Sequence, residues 1–191
     1  RQYTLKFKDI ESDLVFKNSI ENTSGDMAWS ADGKYLFYVL RDEETLLPYK
    51  LFRHEIGTSQ EKDTLVYEEK DTTFYLSVGN TRSMDYVEIN ISSSTSSEVR
   101  LIKSSNPEME PEIFLIREKD HLYSVDHDPA SSRFLIESNW KATNFRLLET
   151  ELYDLRDKEK WKELIPHRDE VLLQSVIPFP TSTKNKAICP F

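Results

Sequence analysis

Residues 74–102 read FYLSVGNTRSMDYVEINISSSTSSEVRLI, and this stretch decides the fold. Three short runs rich in aromatic and β-branched residues, Phe74–Val78, Tyr86–Ile91 and Glu98–Ile102, alternate with polar sequences. Such runs are typical of β-strands, and the polar sequences between them are typical of turns. A fourth run follows at Glu112–Ile116, so the stretch predicts four consecutive strands without a helix.

Sets of four strands recur on both sides of this stretch. The first strands of successive sets begin near Met27, Phe74, His121 and Val171, so the intervals are 47, 47 and 50 residues. Four strands per unit at this period are typical of the blades of a β-propeller. The other predicted strands of the flanking sets are Tyr35–Leu40, Tyr49–Ile56, Thr64–Glu68, Phe134–Glu137, Phe145–Leu152 and Trp161–Ile165.

The repeat predicts an all-β protein, a partial β-propeller of about three whole four-stranded blades plus parts of two more. Residues 3–10 and 13–20 alternate like strands and predict the last two strands of an earlier blade. We expect the propeller to occupy residues 1–179. The tail at residues 180–191 breaks the strand pattern, so we expect it either to fray or to be aberrant sequence. The one helical candidate, Tyr153–Lys162, has a poor apolar stripe, so a polar excursion is at least as well supported.

The charge balance and the cysteine content restrict the class of protein. The chain has 25 basic and 34 acidic side chains, and its net charge of −9 disfavours nucleic acid or an anionic membrane as partner. Its one cysteine, Cys189, excludes an internal disulfide and indicates a reducing compartment, so we expect a cytoplasmic location. No apolar run approaches the roughly eighteen residues that a transmembrane helix needs.

Residues 119–128, KDHLYSVDHD, carry two histidines and three aspartates and are the first candidate for a metal or catalytic centre. If His121–Asp126 is an inner strand, however, His121 and His127 lie roughly 20 Å apart, too far to share a metal ion. By analogy with the SADGK turn of the first set, His127, Asp128 and Pro129 are predicted to be turn residues. The stretch therefore predicts scaffold and no metal site.

Other catalytic patterns are also missing from the sequence. The four glycines, at positions 25, 33, 57 and 79, form neither a Gly-x-Ser-x-Gly elbow nor a phosphate loop. A Ser-His-Asp triad assembled from scattered residues stays open, although nothing in the sequence positions one, and Cys189 has no base beside it. We predict no catalytic, cofactor-binding or metal-binding residue, and we interpret the acidic run 68–71 as a solvated turn between blades.

Several longer strings resemble a known family. The sequence is similar to the prolyl oligopeptidase family of serine peptidases, above all to its oligopeptidase B (protease II) members, and the likeness covers residues 1–179. The strings are TLLPYK at 45–50, HEIGT at 54–58, LVYEEKDTTFYLSV at 65–78, SSEVRLI at 96–102, KDHLYSVDHD at 119–128 and WKELIP at 161–166.

The resemblance implies a seven-bladed propeller inserted before an α/β-hydrolase domain, which holds the nucleophile, acid and base. It implies a serine peptidase that cleaves short peptides after Arg or Lys, with the propeller covering the active site and excluding folded proteins. The expected partners are therefore short basic peptides and the chain's own hydrolase domain, and the segment alone is expected to be inactive. Because an incomplete propeller leaves terminal blades uncovered, we also expect self-association. The alternative is a stand-alone propeller-type module that binds a protein or peptide.

Overall fold

The computed structural model describes residues 1–177, which form three antiparallel sheets and contain no α-helix. In every sheet the strands pair in chain order. The first sheet contains β1 (Tyr3–Lys8), β2 (Val15–Trp29), β3 (Tyr35–Arg41), β4 (Pro48–Glu55) and β5 (Thr64–Glu68). The second contains β6 (Tyr75–Asn80), β7 (Tyr86–Ser92), β8 (Ser97–Lys103) and β9 (Glu112–Leu115). The third contains β10 (Tyr123–Asp128), β11 (Arg133–Ser138), β12 (Arg146–Thr150) and β13 (Lys162–Ile165).

The sheets stack face to face through two apolar cores. Residues of the first and second sheets form an aliphatic core that includes Phe37, Leu51 and Ile89. Residues of the second and third sheets form a more aromatic core that includes Phe114 and Phe134. Within residues 1–177 the sheets do not close into a ring, and the prediction of an all-β partial propeller is confirmed.

β1 and the first half of β2 form a hairpin that packs on the outer face of the first sheet, as another sheet would. The ring of Phe7 lies parallel to that of His54, with the centroids 5.4 Å apart, and meets the edge of Trp29. These strands are the pair assigned from sequence to an earlier blade. Thr23 pairs with both Tyr3 and Leu40, so the hydrogen bonding continues into the first sheet and makes it five-stranded.

The helical candidate Tyr153–Lys162 forms short 3-10 turns, and the start of the last predicted blade forms one isolated bridge. Between β12 and β13 the chain makes two short 3-10 turns, Leu152–Asp154 and Lys158–Lys160, as the polar excursion predicts. Val171, near which a fourth set was predicted to begin, forms an isolated bridge with Arg168. Residues 172–177 form no further named strand, and the rest of that predicted set, with the tail at 180–191, lies outside the described residues. No helix of the described part has the length and hydropathy to cross a membrane.

The junction between the first and second sheets, called the first junction, is held by side chains at both ends. At one end, the Asn80 side chain pairs with the backbone N–H and C=O of Trp29 at 2.8 and 2.9 Å. At the other end, the Arg117 guanidinium contacts Glu69 at 2.5 Å and Glu98 at 3.3 Å. Both carboxylates are buried, so water does not stabilise their negative charges, and the positive guanidinium does so instead.

The junction between the second and third sheets, called the second junction, contains an inserted side chain. A register shift between Val99 and Arg100 opens the β8–β9 ladder. The Tyr123 hydroxyl fills the gap, because it accepts a hydrogen bond from the N–H of Val99 at 2.8 Å and donates one to the C=O of Leu115. The hydroxyl of Ser97 bonds both backbone groups of Tyr123, so the two sheets are tied at a second point.

Candidate functional site

The stretch 119–128 lies mainly in β10, which is shifted by two residues from the predicted strand. His127 and Asp128 pair with Phe134 and Arg133 in the β10–β11 ladder, so the prediction that they are turn residues is wrong. The reason is that apolar-in, polar-out alternation runs on through His127, which is buried. The turn begins after Asp128, whose carboxylate accepts hydrogen bonds from the N–H groups of Ala130 and Ser131.

The two histidines of this stretch are buried, but each bonds a different serine. Nε2 of His121 lies 2.9 Å from Oγ of Ser138, whereas Nδ1 of His127 lies 2.8 Å from Oγ of Ser83. Among residues 1–177, no group of three His, Cys, Asp or Glu side chains is arranged to hold a metal ion. Burial lowers the pKa of His121, and nearby Lys158 adds to that effect against the opposing charge of Glu118.

One serine, one histidine and one aspartate do come together, but not as a catalytic triad. Ser83 and Asp85 both approach the same ring nitrogen of His127, Nδ1, at 2.8 and 3.4 Å. A triad needs the carboxylate on one ring nitrogen and the serine on the other, so that the second nitrogen can take the serine proton. This arrangement holds the imidazole in place and does not activate Ser83.

A buried carboxylate–histidine pair lies under the hairpin, and no sequence motif predicts it. Asp63 accepts a hydrogen bond from Tyr38 at 2.8 Å and lies 2.7 Å from Nδ1 of His54. Nε2 of His54 is buried without a partner in the described part of the chain, and Phe7 covers the ring. The pair matches the carboxylate–histidine part of a catalytic triad, but no serine hydroxyl reaches Nε2 within the described residues. We therefore interpret the pair as structural.

Two acidic clefts lie beside the first sheet and share part of their lining. The first has a volume of about 500 Å³ and the second about 340 Å³, and they share Asp42 and Tyr49. The first is lined by Glu21, Asn22, Leu40, Arg41, Asp42, Glu43, Glu44, Tyr49 and Gln60. The second is lined by Asp42, Thr45, Leu47, Tyr49, Glu68, Glu69, Lys70, Asp71, Thr72 and Phe74.

Acidic side chains outnumber basic ones in both clefts. Hydrogen bonds from Thr45 hold the pKa of Asp42 below its ordinary value, and those from Thr73 do the same for Asp71. The amine of Lys50 already lies over the Tyr49 ring at 4.9 Å and 3.6 Å from Glu68, so the surface tolerates a cationic group. The clefts are suited to positively charged groups.

The interpretation of residues 68–71 as a solvated turn is wrong for one of its members. Glu69 is buried, and burial opposes its ionisation, yet the bond from Arg117 outweighs this and lowers the pKa of Glu69. Arg117 lies 48 residues further along the chain, so no local sequence signal links the two. The sequence signal for the clefts was the recurrence of acidic residues at 42–44 and at 68–71, on loops of one sheet.

Comparison with known proteins decides the family. The sequence model of the N-terminal β-propeller domain of prolyl oligopeptidase matches residues 1–182. The chain belongs to the prolyl oligopeptidase family. It is similar to dipeptidyl aminopeptidase BI of Pseudoxanthomonas mexicana, with 36% identity over 178 residues, covering 91% of the chain and 24% of the relative. It is also similar to protease 2 of Moraxella lacunata, with 33% identity over 180 residues, covering 93% of the chain and 25% of the relative.

Solved structures of the prolyl oligopeptidase family share the arrangement of sheets. Oligopeptidase B from Leishmania major matches with a TM-score of 0.84 and 29% identity, over 92% of this chain and 24% of that one. Oligopeptidase B from Trypanosoma brucei, with covalently bound antipain in a closed form, matches with a TM-score of 0.76 and 26% identity, over 84% and 22%. The chain thus spans about a quarter of the length of these relatives.

Proposed function

We propose that this chain is the non-catalytic propeller portion of a serine oligopeptidase that hydrolyses short peptides after Arg or Lys. The observation that carries the proposal is the match of residues 1–182 to the N-terminal propeller domain of prolyl oligopeptidase. The chain spans about a quarter of its relatives, so the reaction is assigned to an α/β-hydrolase domain elsewhere in the parent protein. There an activated serine would attack the scissile carbonyl, and backbone donors would stabilise the oxyanion.

The part assigned to this chain is steric and electrostatic. Stacked blades that cover the active site would exclude folded proteins and admit short peptides. The acidic clefts and the net charge of −9 support a basic substrate, because a negative surface raises the local concentration of cationic peptides. The chain's only cysteine supports the proposal of a cytoplasmic protein, and its net charge weighs against nucleic acid and anionic membranes as partners.

The test compares this chain with the full-length parent protein in one peptidase assay. A fluorogenic peptide ending in Arg and a matched peptide ending in Gln serve as substrates, and a fluorophosphonate probe reports an activated serine. We expect the parent to cleave the Arg peptide, with a kcat/KM that falls as ionic strength rises, whereas this chain neither cleaves nor reacts with the probe.

Two outcomes would overturn the proposal. Labelling or cleavage by the 191-residue chain itself would place a nucleophile within it. A parent protein without a downstream Gly-x-Ser-x-Gly followed by Asp and His would favour the stand-alone binding module instead. If kcat/KM for the Arg peptide does not change with salt, the proposed electrostatic role of the propeller is wrong. Its proposed steric role would still stand.

A further inference from the structure

The loops of this chain emerge at two opposite edges of the stacked sheets. In the second sheet, residues 81–85 join β6 to β7 and residues 104–111 join β8 to β9, both at one edge, which we call the turn edge. The β7–β8 connection, residues 93–96, lies at the opposite edge, because consecutive antiparallel strands run in opposite directions. The links between sheets, residues 69–74 and 116–122, lie at that opposite edge too, which we call the link edge.

Hydrogen bonds between neighbouring sheets follow these two edges. At the turn edge, the N–H of Ala31, in the β2–β3 connection, donates to the C=O of Ser104 in the β8–β9 connection at 2.8 Å. At the link edge, the N–H of Ser97, at the start of β8, donates to the C=O of His121 in the link before β10 at 3.0 Å. Each bond joins groups of the same edge, so each edge continues from one sheet to the next.

The number of strands in a sheet determines where the chain enters and leaves it. The second and third sheets each contain four antiparallel strands that pair in chain order. Because four is an even number, the last strand ends at the edge where the first strand began. β6 and β10 both begin at the link edge, and β9 and β13 both end there. A ring built from any number of such sheets therefore begins and ends at the link edge.

This topology bears on where the rest of the parent protein joins the propeller. The inference rests on the proposed function, in which a catalytic domain lies in the part of the relatives that this chain does not span. A domain attached where the ring begins or ends lies directly against the link edge. To reach the turn edge, its connection would have to cross the height of a sheet, and β6, with six residues, spans roughly 20 Å.

Side chains brace the loops of the link edge. The carboxylate of Asp42 accepts hydrogen bonds from the N–H and the hydroxyl of Thr45 at 2.8 and 2.9 Å, within the β3–β4 connection. The Asn139 side chain, in the β11–β12 connection, pairs with the N–H of Leu122 and the C=O of Asp120 at 2.9 and 3.1 Å. The link edge thus presents loops that are fixed by contacts within the chain itself, and such a surface can dock a partner with little rearrangement.

We propose that the link edge is the surface that docks the catalytic domain of the parent protein, and that the turn edge faces away from that domain. The docking loops are residues 42–47, 69–74, 93–96, 116–122 and 139–145. The second acidic cleft lies between the first two of these loops, so it opens toward the catalytic domain. Its negative charge therefore acts on a basic peptide held between the two domains rather than on the outer surface of the protein.

Lysines that the two edges already carry provide the test. Three exposed lysines lie at each edge, namely Lys70, Lys119 and Lys141 at the link edge and Lys34, Lys62 and Lys103 at the turn edge. The full-length parent protein is treated with an amine-reactive cross-linker shorter than the distance between the edges, digested and analysed by mass spectrometry. Products that join a lysine of the propeller to a lysine of the catalytic domain report which edge lies against that domain.

We expect cross-links to the catalytic domain from the link-edge lysines and none from the turn-edge lysines. The turn-edge lysines should still carry cross-linker attached at one end only, which shows that they react. Cross-links to the catalytic domain from the turn edge alone would overturn the inference. Such a result in a parent that cleaves the Arg peptide would leave the proposed function standing, whereas a parent without a catalytic domain contradicts the proposed function itself.

If neither edge yields cross-links between the domains, two single-cysteine variants of the parent decide instead. Thr72→Cys places a thiol in an exposed position of the link edge, and Ala31→Cys is the matched variant at the turn edge. Both are made in a parent whose other cysteines are replaced by serine, and a bulky maleimide is the probe. We expect the thiol at position 72 to react at least tenfold more slowly than the thiol at position 31. Equal rates, or slower reaction at position 31, contradict the proposal.

Discussion

Arg117 joins two buried carboxylates that come from distant parts of the chain. Glu69 lies in the link between the first and second sheets, and Glu98 lies on β8. The guanidinium also stacks 4.0 Å from the centre of the Phe74 ring, at the start of the second sheet. Its removal would leave Glu69 without a basic partner in a place that water does not reach, whereas Glu98 would keep Arg100 at 2.8 Å. The cost of the uncompensated Glu69 charge exceeds the value of an exposed ion pair.

We therefore expect Arg117→Met to lower the free energy of unfolding by about 3–5 kcal/mol, measured by urea denaturation at neutral pH. The matched control is Arg133→Met, since Arg133 pairs with Glu149 at 2.8 Å on the outer face of the third sheet. Glu149 keeps a second partner, Lys162, so this control should cost about 1 kcal/mol or less. If both variants lose the same free energy of unfolding, the ion pairs of Arg117 stabilise the fold no more than an exposed ion pair does.

For individual residues, the sequence predicts which of them lie in strands and turns better than it predicts which side chains contact one another. The spacing of His121 and His127 predicts scaffold instead of a metal site, but it does not name their partners, which are the separate serines Ser138 and Ser83. The pairing of His54 with Asp63 depends on the position of a turn relative to β4, and local periodicity does not specify it. Partners that lie far apart along the chain are fixed only when the sheets stack.

Among the elements, β8 and β9 depend on a residue that belongs to neither. The Tyr123 hydroxyl takes the place of a ladder hydrogen bond at the register shift, and it is buried together with its two backbone partners. Without it, one N–H and one C=O would be left unsatisfied in the interior. The two strands and the third sheet are therefore coupled.

Tyr123→Phe removes this hydroxyl while preserving the ring. We expect a loss of about 2–4 kcal/mol in the free energy of unfolding, together with faster hydrogen exchange of the Val99 amide. Tyr75→Phe is the control, because Tyr75 is 57% exposed and should change the free energy by less than about 0.5 kcal/mol. Unchanged exchange at Val99 would mean that water replaces the hydroxyl.

The strands themselves were largely predictable, since β3, β7 and β8 each lie within a residue of their predicted bounds. Aromatic and β-branched runs bounded by turn residues specify them locally. The shift of β10 and the merging of β2 with the hairpin were not predictable. Both depend on where neighbouring strands allow the ladder to start, which is a property of the sheet rather than of the segment.

For the molecule as a whole, the hairpin covers one end of the stack, while the other end carries partly exposed apolar side chains. Leu164 on β13 is 39% exposed, and Leu172 is 53% exposed. We propose that the isolated chain self-associates through this end, because apolar groups left in water favour burial against a second copy.

Light scattering should show a mass that rises with protein concentration in the micromolar range. The double variant Leu164→Glu/Leu172→Glu should shift the population toward the monomer, because it places charge in the proposed contact. Exchange of two exposed apolar residues of the hairpin turn, Ile10→Glu/Leu14→Glu, is the matched control and should leave association unchanged. A monomer at every concentration with a high melting temperature contradicts the proposal.

The insertion of Tyr123 also bears on how such repeats can be copied during evolution. A gene segment that ends at Leu115 encodes four strands but omits the group that completes their ladder. A segment extended past Tyr123 carries its own closing hydroxyl and begins the next unit at the same time. A duplication that overlaps in this way copies the second sheet together with the hydroxyl that completes its ladder, whereas a cut at the visible edge of the sheet leaves that hydroxyl behind.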